Sequence, residues 1–430
     1  MGHIAIIGAG ITGITTAYEL IDRGHTVTVL DRHRYAGMET SFANGGQLSA
    51  SNAEVWNHPA TLIKGVKWMF NSAAPLLLNL KPSWHKYSWL AEFVAQIPNY
   101  RANTIRTVRM ALEARRRLFA IAEREGIDFD LEKRGILHVY RDQKSFAHAA
   151  KVNALLREGG LARHAATPQE IKAIEPALTG EFYGGFYTPG DATGDIHKFT
   201  RGLAGACERR GARIICDATV DHVEALADGV RLRWHTGEDL DQGRATHETR
   251  ADAVVVCAGV ASRHFAAMLG DRVNVYPVKG YSITVGLDDE ASREGAPWVS
   301  LLDEDAKIVT SRLGSGRLRV AGTAEFNGFN RDIRADRTAP LVEWTRRLFP
   351  NVATGRVVPW AGLRPMMPNM LPRVGQGRHA RVFYNTGHGH LGWTLCAATA
   401  HMVAEAIDVA RARDVVPGGG QIGDALVGVG

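Results

Sequence analysis

Three stretches predict an α/β chain, a Rossmann-type dinucleotide-binding unit with an inserted α+β unit that carries an antiparallel or mixed sheet. Residues 4–31 read as strand, glycine-rich turn, helix and second strand, ending in an acid. Residues 253–257 are apolar throughout, the pattern of a strand buried on both faces in a parallel sheet. Residues 276–285, 307–312 and 318–321 alternate like antiparallel strands. With 430 residues, 45% of them apolar, the chain can bury a large core and divide into two domains or one discontinuous pair. The expected boundaries are 1–60, 190–275 and 355–430 for the dinucleotide-binding unit, and 61–189 with 276–354 for the substrate-binding unit.

The first stretch organises the rest. Ile4, Ala5, Ile6 and Ile7 form an apolar run too short for a helix, and Gly8, Ala9, Gly10, Ile11, Thr12 and Gly13 follow at once. This is G-x-G-x-x-G after a strand and opening a helix, the Rossmann-type fingerprint. In that arrangement Gly8 makes the tight turn, Gly10 lets a pyrophosphate approach the backbone, and Gly13 lets the helix pack closely on the sheet. The helix shows Ile14, Ala17, Leu20 and Ile21 on one face and stops at Arg23-Gly24. Residues 26–30 form the second strand. Asp31 then stands where the fingerprint places a carboxylate for a ribose 2′-hydroxyl, which favours FAD or NAD over a 2′-phosphorylated cofactor. The fingerprint alone leaves FAD and NAD open.

Composition narrows the function classes. Lys and Arg number 51 against 45 Asp and Glu, a net +6, but the charges are interspersed and no basic stripe carries interleaved aromatics, so nucleic acid is not an expected partner. Cys207, Cys216, Cys257 and Cys396 have no metal-ligand spacing and fit buried thiols in a reducing compartment. The cofactor strand begins at residue 4 and leaves no room for a cleavable signal peptide before it, so the expected location is the cytoplasm. The longest uncharged hydrophobic stretch, 68–80, contains Asn71, Pro75 and Asn79 and falls short of the roughly 20 residues of a spanning helix.

In chain order, residues 39–49 form a loop rich in small and amide side chains. Its backbone amides and the Ser41 hydroxyl can close on the cofactor's phosphates or ring carbonyl, or Ser41 can cap a helix. Residues 61–97 mix Trp68, Phe70, Trp84, Tyr87, Trp89 and Phe93 with Lys64, Lys67, Lys81 and Lys86, which suits a lid packed on the second domain or a patch resting on lipid. Residues 101–124 read as a long helix whose arginines form a solvated face. A strand at 135–140 and a helix at 146–157 follow, and Thr167-Pro168-Gln169-Glu170 is a capping-box start. Next come a strand at 182–189, a helix at 197–210, strands at 213–215 and 230–234, and a polar hairpin at 238–249. The 253–257 strand belongs beside the first, with Ala258 and Gly259 near the cofactor at the carboxyl edge of the sheet. Residues 340–349 read as a helix, and the glycine-rich tail from Pro417 as loose.

Three further stretches carry chemistry. Tyr276-Pro277-Val278-Lys279-Gly280-Tyr281 is a rigid entry to a strand, with tyrosines that can donate to an anion. Trp360-Ala361-Gly362-Leu363-Arg364-Pro365 holds an arginine where glycine and proline fix the backbone. Asn385-Thr386-Gly387-His388-Gly389-His390-Leu391-Gly392-Trp393-Thr394 is a small-residue turn feeding an apolar helix. The positive end of that helix, about half a charge, can stabilise negative charge on a reduced flavin ring.

With these motifs the chain resembles the D-amino-acid dehydrogenase family, small-subunit type, of the wider glycine-oxidase and D-amino-acid-oxidase group. The resemblance rests on Gly8 to Gly13, Glu39 to Ser49, Lys67-Trp68-Met69-Phe70, Tyr276 to Ser282, Gly362 to Met366 and Gly387 to Thr394. It implies FAD, held by Gly8, Gly10, Ile11, Thr12, Gly13, Asp31 and Arg32. It adds Thr40, Ser41, Asn44, Gly45, Gly46 and Gln47 from the loop, then Val220, Ala258, Gly259 and Arg364, and the turn of Gly387, His388, Gly389, His390, Leu391, Gly392, Trp393 and Thr394. No cysteine lies between Arg364 and Arg373, where flavinylated sarcosine oxidases carry theirs, so the flavin is expected to be non-covalent.

The resemblance implies that an amino acid loses its Cα hydrogen as hydride to flavin N5 and that the imino acid hydrolyses to a 2-oxo acid and ammonia. Such chemistry needs positioning and a dry pocket more than an acid or base. Arg364 becomes the clamp on the substrate carboxylate, against the alternative of a structural ion pair. Tyr276, Tyr281 and His390 are further catalytic candidates. Two departures bear on side-chain preference: His390 stands where the family has threonine, and Met367-Pro368-Asn369-Met370 replaces Thr-Pro-Asp-Gly, so an imino acid such as a D-proline derivative also fits. His388 and His390 lack a third ligand for a metal. The implied partners are a small D-amino or imino acid and a quinone or other respiratory carrier, with peripheral membrane contact and an oligomer compatible with both. An oxidase using O2 and a FAD-binding subunit without turnover are the alternatives.

Overall fold

The His3–Ile7 strand runs through the middle of a six-stranded sheet, paired in parallel with Thr26–Leu30 on one side and Ala253–Val256 on the other. The computed structural model describes residues 1–59, 61, 76–241 and 246–415 of the chain. Outward from that centre lie Arg213–Ile215 beyond Thr26–Leu30, and Val382–Thr386 and then Arg373–Gln376 beyond Ala253–Val256. Only the last of these pairings is antiparallel.

Burial on both faces explains why the central strand is apolar from Ile4 to Ile7. Ile4 and Ile6 pack with the Ile11–Asp22, Ile196–Arg209 and Gly392–Val415 helices, through Ile14, Leu20, Phe199, Leu203, Val403 and Ile407. Ala5 and Ile7 point the other way, to Val223, Leu232 and Trp234 of a small three-stranded sheet and to Phe265. Both faces are covered, and each fully buried isoleucine or valine contributes about 1.5–3 kcal/mol.

The second sheet has nine strands. Its order is Val357–Met366, Tyr276–Gly286, Arg317–Phe326, Ile308–Leu313, Ser300–Asp303, Ile136–Tyr140, Gly184–Thr188 and His164–Ala166, with Leu76–Leu78 paired to Arg317–Phe326 off this path. The Ala335–Leu348 helix packs on one face through Leu341 and Trp344. The 276–285, 307–312 and 318–321 stretches are antiparallel neighbours here, as their alternation predicts.

Several expectations need correction. The expected boundary at 355 puts residues 360–365 in the dinucleotide-binding unit, yet Val357–Met366 is a strand of the large sheet. This strand lies at the sheet edge, where Pro359 and Pro365 are tolerated. The helix expected at 340–349 starts at Ala335 and carries Pro340 inside it. The polar hairpin expected at 238–249 is a short helix, Gly237–Asp241, and a strand, His247–Ala251, that pairs with Val230–His235. Thr219–Ala225 is a strand that the polar composition concealed.

Of the aromatic stretch, Trp68 and Phe70, with the 67–70 match and Lys64, lie outside the described residues, as does the tail from Pro417. The described part includes the Trp84–Ala95 helix, whose Trp89 is buried against Phe93, Tyr276 and Phe326 and donates Nε1–H to the Met366 carbonyl at 2.9 Å. Cys207, Cys257 and Cys396 are buried free thiols, and Cys216 is half-buried. Among the described residues no helix is long and apolar enough to cross a membrane.

Candidate active site

A cavity of about 1160 Å³ runs from the first glycine-rich turn to the underside of the large sheet. At one end Gly8 holds φ at +108°, where an added Cβ would stand 2.7 Å from the Cys257 carbonyl oxygen. The first helix opens at Gly10 with no cap from that residue and no acid in its first turn. Ser41 supplies the cap from the loop, accepting the Ile11 N–H at 3.0 Å, so its hydroxyl serves the helix. Asp31 accepts the Ala9 and His33 amides at 2.6 and 2.8 Å, and burial pushes its carboxyl upward.

The 39–49 loop joins the two sheets. Thr40 donates to the Leu363 carbonyl at 3.1 Å, Ser282 to Ala43 at 2.8 Å, Ser311 to Gly45 at 2.6 Å and Arg319 to Asn44 at 3.1 Å. The side chain of Gln47 is engaged with Ser300 and the Leu301 carbonyl, so only the rest of that residue is free to face a ligand. Opposite, the 387–394 turn is stitched to the end of the edge strand: Gly389 N–H donates to the Pro365 carbonyl at 2.8 Å, and His388 bridges Met366. That stitch sets the start of the Gly392–Val415 helix beside Arg364.

Arg364 is the charged centre of this end. Register places it opposite Val278, two pairs along from Gly280 and Gly362 and so on the same face, and a Cβ on Gly280 would overlap its guanidinium. Nη1 donates to the Thr323 carbonyl at 2.8 Å. Among the described residues no carboxylate lies within ion-pair distance, and burial alone pulls its pKa down to about 10, which still leaves it charged at neutral pH. The structural ion pair considered from sequence is therefore absent among those residues. A desolvated guanidinium with only a carbonyl partner is costly, and an incoming carboxylate would relieve it.

The two tyrosines are placed elsewhere. Tyr281 borders the cavity but is one residue out of phase with Gly280, so its hydroxyl donates to Glu325 on the far face at 2.9 Å. Tyr276 shares the face of Gly280 but lies four residues away beneath Trp89 and Phe326, where its hydroxyl accepts the Gly328 amide at 3.1 Å. The Tyr281 hydroxyl is thus engaged by Glu325, and Tyr276 is not among the residues that line the cavity. His390 does face this end: its ring stacks on Trp56 at 4.8 Å, and burial, then the charge of Arg364, lower its pKa to about 4, so it is neutral. His388 is occupied by Thr399 at 2.9 Å and held down to about 3 by burial.

Of the residues expected at the cofactor, all but Gly13 line the cavity. Gly13 acts one layer back, since a Cβ there would overlap the Gly8 carbonyl oxygen. Sequence reasoning missed Gly280, Thr323 and Trp56. Gly280 carried a signal, a glycine inside a strand, which marks close approach of another group; Trp56 carried none.

A family described as FAD dependent oxidoreductase matches residues 3–406. The chain belongs to it. It is 63% identical over 407 residues to D-amino acid dehydrogenase 3 of Mesorhizobium japonicum, covering 95% of this chain and 97% of that one. It is 42% identical to the D-amino acid dehydrogenase of Paramagnetospirillum magneticum, with 94% of each covered. Among solved structures, glycine oxidase from Geobacillus kaustophilus aligns with a TM-score of 0.74 at 22% identity over 95% of each chain, a likeness of fold.

The cofactor of this oxidoreductase is FAD, and the cavity fits it. Its volume exceeds the roughly 300–1,000 Å³ of ordinary small-molecule sites, and its mouth is an acid-free helix start of the kind that holds phosphate. Two buried polar atoms of residues that line it, His390 Nδ1 and Trp393 Nε1, have no hydrogen-bond partner among the described residues. Buried polar atoms are rarely left so unless a ligand meets them.

Proposed function

We propose that this enzyme oxidises D-amino acids at the Cα–N bond as a dehydrogenase. The observation that carries the reading is Arg364, a charged, desolvated guanidinium without a carboxylate partner among the described residues, at the end of the cavity away from the glycine-rich turn. FAD, when bound, supplies the acceptor for the Cα hydrogen, taken as hydride.

The chain's part is to bind and orient. Arg364 grips the substrate carboxylate through paired N–H donors, Gly280 leaves room for the guanidinium to lie flat on the sheet, and the Thr323 carbonyl fixes its rotation. The neutral His390 and Trp56 stack gives the substrate side chain a flat wall without charge, which also suits a cyclic imino acid. Hydride loss from an amine that enters neutral asks for no protein acid or base, and the imino acid hydrolyses after release.

Anaerobic mixing of the holoenzyme with D- and L-amino acids, proline and hydroxyproline tests this. Rapid bleaching of the flavin by D- or cyclic imino acids is expected, with reduction of a dye or quinone in turnover. Bleaching by none of them would make the chain a non-catalytic FAD-binding subunit, and stoichiometric peroxide in air would make it an oxidase.

The acceptor side of the proposal is a quinone reached at a membrane face. Trp84 is 84% and Leu80 64% exposed on the described part of the aromatic stretch, and the net charge of +6 favours an anionic surface. Trp84→Ala is expected to lower, by about threefold or more, the fraction of enzyme that sediments with phosphatidylglycerol vesicles. Equal sedimentation of variant and parent would remove this contact from the reading.

A further inference from the structure

Thr323 is held in a conformation its residue type disfavours. Its φ is +61°, and it is the one β-branched residue among the described non-glycine residues at positive φ. For such a residue this region is a genuine outlier, and outliers of this kind cluster where ligands are held.

The fold enforces it. Tyr281 pairs with Gly322 and Lys279 with Glu325, so the Arg317–Phe326 strand has one residue more than its partner between these pairs, a β-bulge centred on Thr323 and Ala324. Downstream, buried Glu325 pins the strand by accepting from Tyr281 at 2.9 Å and Asn327 at 3.0 Å, with Lys279 Nζ at 3.4 Å. On the cavity side, the Thr323 carbonyl accepts from Arg364 at 2.8 Å. Thr323 borders the cavity, and its hydroxyl is buried there with no hydrogen-bond partner among the described residues.

We infer that Thr323 is a substrate-binding residue: its hydroxyl donates to the carboxylate that Arg364 grips, while its own carbonyl holds that guanidinium in place. One residue thereby contributes both the orientation of the clamp and a third donor to the anion. The bulge is the device that aims both groups into the cavity, since regular strand geometry would turn successive groups to opposite faces. This rests on the assignment of Arg364 as the carboxylate clamp.

Titration of the FAD-loaded enzyme with benzoate, a carboxylate with no Cα hydrogen, read by the flavin absorbance, tests it. Thr323→Val is expected to raise the benzoate Kd about tenfold and to raise KM more than it lowers kcat, with Thr323→Ser within about threefold of the parent. Thr323→Gly removes the strain with the hydroxyl, so it is expected to melt no lower than the parent yet bind benzoate as poorly as the valine variant. Parent-like benzoate Kd in Thr323→Gly and Thr323→Val, or in Thr323→Gly alone where the valine variant does not load FAD, would overturn the inference. Arg364→Ala in the same titration separates the two claims. Loss of binding there with parent-like Thr323 variants sinks only the role of Thr323, and parent-like binding in Arg364→Ala sinks the clamp itself.

Discussion

Arg364→Ala is expected to lower kcat/KM for the best D-amino acid by about 10²- to 10³-fold, the usual consequence of removing one member of a buried charge pair. The same variant is expected to keep a parent-like FAD content and to melt at or above the parent temperature. The second expectation follows from the burial of the guanidinium, which depresses its pKa to about 10 with only the Thr323 carbonyl as partner among the described residues, so the charge is a cost to the fold. A structural arginine would behave in the opposite way, lowering the melting temperature and sparing turnover in the folded fraction. Steady-state kinetics with a dye acceptor and a thermal melt on one preparation distinguish them.

Gly13→Ala is expected to abolish FAD retention and to cost about 3 kcal/mol or more of stability, at the upper end for overpacking of a close-packed interior. A methyl there would overlap the backbone carbonyl of Gly8, so the first helix must lift from the sheet and carry the turn with it. Gly10→Ala is the control: its Cβ meets only Ser41 Oγ, at 3.6 Å, and the fold tolerates it. The two variants separate on the melting temperature of the FAD-stripped proteins, low for Gly13→Ala and near parent for Gly10→Ala. A Gly13→Ala protein that purifies yellow and melts with the parent would refute the packing role.

Much of the architecture was legible because it rests on local rules. The glycine spacing, the apolar runs at 4–7 and 253–257 and the acid at 31 each encode a local requirement, and the register Ile4↔Ala253 to Ile7↔Val256 follows from two strands that must both be buried on two faces. The capping box at Thr167 and Glu170 forms as its spacing requires. The edge strand at 357–366 was hidden because its prolines and glycines mean different things at a sheet edge and in a loop, and only pairing with 276–286 tells them apart.

The site divides along the same line. Residue types and spacing alone pointed to a dinucleotide cradle, an aimed arginine and a helix start near the redox end, because turns, rigid flanks and helix ends are properties of short segments. Which hydroxyls reach the substrate was decided by tertiary structure. Tyr281 lies on the wrong face by one residue, Tyr276 is covered by Trp89, and Thr323, unremarkable in sequence, is brought to Arg364 by a bulge between strands more than 30 residues apart in the chain. Side-chain direction in a sheet depends on register, and register is a relation between distant segments that no single stretch of sequence contains.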